Sequence, residues 1–211
     1  MQTDVLVVGG GMGGVAAALA AARAGRRVVL TEECPWLGSQ LTSQAVPADK
    51  HTWVEEFGVT ASYRRLREGI RDYYRDHYPL TEAAKAKKDL NPGAGMVSRI
   101  CAEPRVAAAV IESMLAPFRS SGAIRVLERT RPVSADVEGD VVRAVTVADV
   151  RTGEEATVRA GYVLDATELG DLLPLTGAEY VTGFEAHSAY GEPSAPAQAQ
   201  PHNQQAISCA S

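Results

Sequence analysis

Gly9-Gly10-Gly11-Met12-Gly13-Gly14 is a GxGxxG turn, and Glu32 follows it by 18 residues. Residues of these types at this spacing bind the diphosphate and ribose of a dinucleotide. Gly9 permits a tight turn off a strand, Gly11 lets backbone approach a pyrophosphate with no Cβ in the way, and Gly14 lets the next helix pack closely. Met12 and Gly13 fall in the first turn of that helix, whose free N–H groups and positive dipole end attract phosphate. Glu32 would accept hydrogen bonds from ribose hydroxyls, and with Glu33 it would repel a 2′-phosphate, so NADP is disfavoured. By itself the glycine pattern also fits a turn that holds no ligand; the strand before it, the helix after it and the acid beyond it turn the pattern into a mechanism.

The elements that position these residues follow from pattern. Residues 4–8 are a short β-branched run ending at glycine, as in a buried parallel strand. Residues 12–24 are rich in Ala, Val and Leu and end at Gly25, which predicts a close-packing helix with a glycine cap. Residues 27–31 give a second strand and complete a βαβ unit. Thr60 caps a helix with Tyr63, Leu66, Ile70, Tyr73, Tyr74 and His77 on one face, closed by Pro79. Its other face carries Arg64, Arg67, Arg71 and Arg75 among Glu68, Asp72 and Asp76, which reads as a solvated, self-paired surface in preference to an anion site. Pro104 starts another helix with Val106, Val110 and Met114 on one face. A parallel strand at 124–127 and a three-stranded antiparallel meander over 132–162 follow, with turns at Gly139 and Gly153. The fold class expected is α/β: a Rossmann-like domain made of a parallel sheet and an antiparallel β-meander, with a helical insertion. Its division is 1–50 and 97–183 for the nucleotide-binding domain and 51–96 for the insertion. Residues 184–211 read as a linker or the start of an incomplete substrate domain, since Pro, Ala, Gln and Ser dominate after Gly191.

Composition removes several classes of function. With 211 residues and a net charge of −5, and with no basic stripe, the chain has nothing to attract a nucleic acid. Its most apolar stretch, 15–22, is far shorter than a bilayer span, and no signal peptide is evident, so a cytoplasmic location away from membranes is expected. Cys34, Cys101 and Cys209 are widely spaced, which gives neither a disulfide framework nor a CxxC site; buried or idle thiols are the expectation. His77, His187 and His202 lack metal-ligand spacing, so no metal is expected. A P-loop and a GxSxG elbow are both absent, which removes phosphotransferase and hydrolase readings. Among dinucleotides, FAD suits the layout better than NAD, because strand two leads into a long irregular insertion and later a meander, where an NAD domain would continue with regular crossovers.

Pro35-Trp36-Leu37-Gly38-Ser39-Gln40-Leu41-Thr42-Ser43-Gln44 and Asp165-Ala166-Thr167-Glu168-Leu169-Gly170-Asp171 resemble a bacterial family of FAD-dependent oxidoreductases with a glutathione-reductase-like FAD-binding fold, some of whose members are labelled xanthan-lyase-like. The likeness extends over 53–78, 90–104 and 172–183. It implies that Gly38, Ser39, Gln40 and Leu41 run beside the FAD pyrophosphate, although Ser39 stands where the family usually has a second glycine. It also implies that Ala166 and Thr167 lie near the adenosine and pyrophosphate, and that backbone from Arg131 to Val133 lies near the adenine edge. No cysteine follows Gly38 within a turn, so thiol–disulfide chemistry is not expected.

The chemistry that follows is hydride transfer from a small organic substrate to flavin, with the protein orienting the cofactor. Catalytic residues are not identified. His51, beside Asp49 and Lys50, and Glu168 are the candidates for proton transfer, and a surface or supporting role is the simpler reading of each. The alternative function is a non-catalytic FAD-binding half. In the resembling family further structure and a later Gly-Asp segment close the flavin site, so either the chain is truncated or a partner subunit supplies them. Pro201-His202-Asn203-Gln204-Gln205 resembles the beginning of that continuation.

Overall fold

The computed structural model describes residues 1–48, 51 and 53–204. Asp49, Lys50, Gln205 and Cys209 lie outside the described residues. In β1 (Gln2–Val8) Val5 to Val8 are all buried, as a run flanked on both faces must be. The chain then turns through the glycines into α1 (Met12–Arg23) and returns as β2 (Val28–Glu32), every residue of which is buried. Three helices follow, α2 (Ala61–His77), α3 (Glu82–Lys85) and α4 (Pro104–Ser120). After them come β3 (Ile124–Glu128), β4 (Thr130–Glu138), β5 (Val141–Asp149), β6 (Glu155–Asp165), α5 (Leu172–Thr176) and α6 (His187–Tyr190).

One six-stranded sheet has the order β3-β2-β1-β6-β5-β4. β3, β2, β1 and the later part of β6 are parallel, while β4, β5 and the early part of β6 form the antiparallel meander. The expected α/β class with parallel sheet and meander is therefore what the chain adopts. β6 belongs to both parts: Glu155 to Val158 pair with β5, and Arg159 to Asp165 run beside β1. Register matters for function. Val8 lies opposite Thr31 on one side and Asp165 on the other, so the ends of three parallel strands are flush. Gly9, Glu32 and Ala166, one residue further on, are thus delivered to one crevice beyond the carboxyl ends of the strands, where open α/β sheets bind ligands.

The sheet is buried on both faces at β1 and β2. Val5, Val7, Val28 and Leu30 pack on Val15, Ala18 and Leu19 of α1, Leu66 and Ile70 of α2, and Val110, Ile111 and Leu115 of α4. Leu6, Val8 and Val29 point the other way, into Val145, Val147 and Val158 of the meander and Leu172 of α5. The buried stripe of α4 takes in Val106, Ala107, Val110, Ile111 and Leu115, with Met114 at its margin.

α2 corrects the sequence reading. Its Thr60 cap forms, with Oγ1 accepting from the Tyr63 N–H at 3.2 Å, and Leu66, Ile70 and Tyr74 are buried as expected. The arginine face, however, is not uniformly solvated: Arg67 is 2% exposed and Arg71 fully buried. Both guanidiniums donate to Oε1 of Glu55, Arg71 at 2.7 Å, and Arg71 also reaches Glu68 Oε1 at 3.0 Å and the Leu90 carbonyl at 3.1 Å. Burial pushes the Glu55 carboxyl up, but the two guanidiniums outweigh it and hold it below the usual carboxylate range. The i, i+4 spacing of Arg67 and Arg71 looked like a surface row because its partner arrives from the irregular segment before the helix.

The chain divides into two compact units, Met1–Thr176 and Gly177–Ser211. Within the second, Phe184 and Gln200 exchange backbone hydrogen bonds of 3.2 and 2.8 Å around α6, and Tyr180, Val181 and Tyr190 are exposed. Among the described residues no helix is long and apolar enough to cross a membrane.

Candidate dinucleotide site

The crevice beyond β1, β2 and β6 holds a cleft of about 140 Å³ lined by the glycine turn, by Glu32, Glu33 and Cys34 after β2, by Ser39, by Thr130 to Pro132 of β4, and by Ala166 to Glu168 after β6. Gly9 adopts φ +100°, and a Cβ there would fall 2.3 Å from the Ala166 carbonyl oxygen. Only glycine satisfies both demands. A Cβ on Gly14 would lie 1.9 Å from the Gly9 carbonyl oxygen, which is how closely α1 sits on the turn. Gly10, to which the sequence reading gave no role, is hemmed by Leu37 Cδ2 at 2.4 Å and Glu32 Oε2 at 2.9 Å from an added Cβ. No side chain caps the N-terminus of α1, and its first turn holds no acid. Its leading N–H groups are left for a ligand.

Glu32 is 6% exposed, and its two oxygens accept from backbone: Oε2 from Gly10 N–H at 3.0 Å and Oε1 from Cys34 N–H at 2.7 Å. A carboxylate offers about four lone-pair positions, so acceptor capacity remains beyond these two backbone bonds. Burial drives the Glu32 carboxyl above its ordinary pKa, and these two backbone bonds only partly offset that. Thr31 supports the same corner, its Oγ1 accepting from Gly9 N–H at 3.3 Å. After β6 the backbone is locked by Asp165, whose Oδ1 accepts from the Thr167 N–H at 3.0 Å and hydroxyl at 2.7 Å and whose Oδ2 accepts from Leu172 N–H at 2.9 Å. Thr167 Oγ1 in turn accepts from Asp171 N–H at 2.8 Å.

The expected residues fall into two groups. Gly9, Gly11, Glu32, Glu33, Ser39, Ala166 and Thr167 line the cleft, as do Arg131 and Pro132, while Val133 does not. Gly14 lies beneath it; Met12 and Gly13 border a separate apolar pocket between α1, α2 and α4. Gly38, at φ +103°, donates its N–H to the Gly10 carbonyl at 2.8 Å and so ties the 35–44 loop to the glycine turn. Gln40 is exposed, and Leu41 packs on the core. The cleft also takes in Cys34, Ser43, Gln44, Thr130, Leu169 and Asp171. Of these, Ser43, Gln44, Leu169 and Asp171 lie in the motifs at 35–44 and 165–171, whereas Thr130, which opens β4, precedes the meander expected over 132–162. Of the two proton-transfer candidates, Glu168 lines this cleft, whereas His51 lines a different pocket with Glu55, Asp89 and Arg99. Cys34 is half-buried, and burial pushes its thiol pKa up. Among the described residues no group of three or more His, Cys, Asp or Glu could hold a metal.

A glycine turn whose Gly9, Gly10 and Gly14 leave no room for a Cβ, an uncapped helix start and a buried acid with spare acceptor capacity fit the adenosine diphosphate portion of FAD. Among solved structures, the chain is similar to Mycobacterium smegmatis Sdh1 in complex with UQ1, at 15% identity over 79% of this chain and 34% of that one, with a TM-score of 0.49. It is also similar to Thermovibrio ammonificans THI4, at 18% identity over 94% and 76% of the two chains with a TM-score of 0.48. A third is the glycerol-3-phosphate dehydrogenase from Bacillus halodurans complexed with FAD, at 16% identity over 82% and 36%, TM-score 0.47. The chain spans about a third of the length of the first of these. No curated protein matches its sequence significantly. The model of the FAD dependent oxidoreductase family matches residues 4–209, and the chain accordingly belongs to that family, whose cofactor is FAD.

Proposed function

We propose that the chain binds FAD through the cleft at the glycine turn and serves an oxidoreductase that removes hydride from a small organic substrate. The observation that carries this reading is the convergence of the Gly9–Gly11 turn, the buried Glu32 and the Ala166-Thr167 step at the flush ends of three parallel strands. Backbone N–H groups of the turn and of the first turn of α1 hold the diphosphate, and Glu32 accepts from the ribose hydroxyls. Ala166 and Thr167 form the opposite wall. Bound flavin supplies the hydride acceptor. The protein's part is to fix the cofactor's adenosine end, so that its reactive end is presented in one orientation. The motifs at 35–44 and 165–171 support placing the chain with the xanthan-lyase-like members of the family.

A second reading rests on size. Pockets that enclose a drug-sized ligand run to roughly 300–1,000 Å³, and the cleft is about 140 Å³. It accommodates part of a dinucleotide and leaves the remainder to be covered. A partner subunit that completes the flavin site fits that need, and the chain would then be an FAD-binding half without turnover of its own.

Purified protein separates the two. Visible flavin absorbance together with reduction of an artificial electron acceptor by a substrate panel supports a self-sufficient enzyme. Yellow protein that is inert alone, and active once a second polypeptide is added, supports the FAD-binding half. Folded protein that takes up no FAD sinks both.

A further inference from the structure

Ser39 breaks a local rule. It sits at φ +42°, in the left-handed region that favours glycine, and is 6% exposed. Two bonds explain a serine there: its hydroxyl donates to Oε1 of Glu168 and accepts from Gln44 Nε2 at 2.9 Å. Glycine at this position could make neither. The acid it holds is in a telling place. Glu168 Oε1 lies 3.1 Å from the point where a Cβ on Gly11 would stand, with Ser39 Cβ 3.3 Å from the same point. In the proposed reading of the cleft, that is the side of the turn against which the diphosphate would rest. The neighbouring backbone is anchored by Asp165 and Thr167, so Glu168 projects from a fixed turn across the cleft. A carboxylate there occupies space needed by a phosphate and repels it.

We infer that Ser39 and Glu168 form a latch across the cofactor seat, and that FAD enters only when Glu168 swings out. This rests on the proposed FAD reading of the cleft. The side chain of Glu168 is exposed, so release needs only rotation into water. The latch lowers the fraction of molecules competent to bind, which raises the apparent dissociation constant in proportion. Ser39 is thus a residue that tunes cofactor affinity through Glu168, in contrast to a serine that donates to a phosphate.

The test is a titration of the full chain with FAD, followed by quenching of flavin fluorescence, for wild type, Glu168→Ala, Ser39→Ala and the double variant, each shown to be folded by circular dichroism. Each single variant should bind about tenfold tighter than wild type, as expected if roughly one molecule in ten is open. The double variant should gain little more than either single one, because both release the same contact. FAD binding of equal strength in all four, or weaker binding by Ser39→Ala, overturns the latch and leaves the cofactor reading intact. Four folded proteins that bind no FAD overturn both.

Discussion

Glu32 is the residue on which the cleft depends most. Glu32→Ala removes the acceptor of the buried Gly10 N–H and the part-buried Cys34 N–H, and should cost about 1–3 kcal/mol of stability. Thermal denaturation measures it, and an unchanged melting temperature would mean that water replaces the carboxylate without penalty. The raised pKa of Glu32 fixes a sign. Its native pKa exceeds its unfolded one, so its contribution to stability is present below the unfolded pKa and lost as pH rises through the native value. Cofactor hydroxyls donate to the ionised form, so the binding contribution of Glu32 has the opposite sign and fades as pH falls through the raised pKa. A pH series of FAD affinity for wild type and Glu32→Gln should therefore differ most on the alkaline side of that pKa. The glycines make a paired expectation. Gly14→Ala forces a Cβ against the Gly9 carbonyl and should cost about 1–3 kcal/mol. Gly13→Ala meets nothing within 4 Å and should be neutral or stabilising by up to about 1 kcal/mol. Equal melting temperatures for the two would contradict the packing described.

At the scale of elements, the strand, turn and helix over residues 2–23 and the acid at the end of β2 were legible, because glycine spacing and apolar runs are local signals. The meander was legible from its turns at Gly139 and Gly153, both at positive φ. Contacts between distant segments were not. Ser39 and Glu168 meet across 129 positions of sequence, and nothing in either motif reports the pairing. α2 misled for a related reason. A row of arginines interleaved with acids has the pattern of a solvated face, yet Arg67 and Arg71 turn inward onto Glu55, a residue 12 positions before the first of them. Glu55→Ala leaves the buried Arg67 guanidinium without a carboxylate and Arg71 with only Glu68 and the Leu90 carbonyl, and should cost about 3–5 kcal/mol. The pKa of Glu55 is lowered by folding, so the stability it contributes is present above its unfolded pKa and lost as pH falls through the native one. Acid unfolding should accordingly shift less with pH in Glu55→Gln than in wild type. Identical acid limbs would show that the pair is not coupled to folding.

For the molecule as a whole, the sheet, α1, α2 and α4 and the entire cleft lining fall within Met1–Thr176. A chain ending at Thr176 should keep a cooperative unfolding transition and the FAD affinity of the full chain, and loss of either would assign part of the site to residues 177–211. The insertion expected at 51–96 packs into the same core as α1 and α4 through Leu66, Ile70 and Tyr74, so its removal should unfold that unit. The central claim is that this cleft takes the adenosine diphosphate end of FAD, and the most direct measurement is equilibrium dialysis of FAD against wild type and Glu32→Ala. The account expects saturable binding of one FAD per chain that weakens at least several-fold in the variant. Folded wild-type protein that binds no FAD, or binding that is indifferent to Glu32, would contradict it.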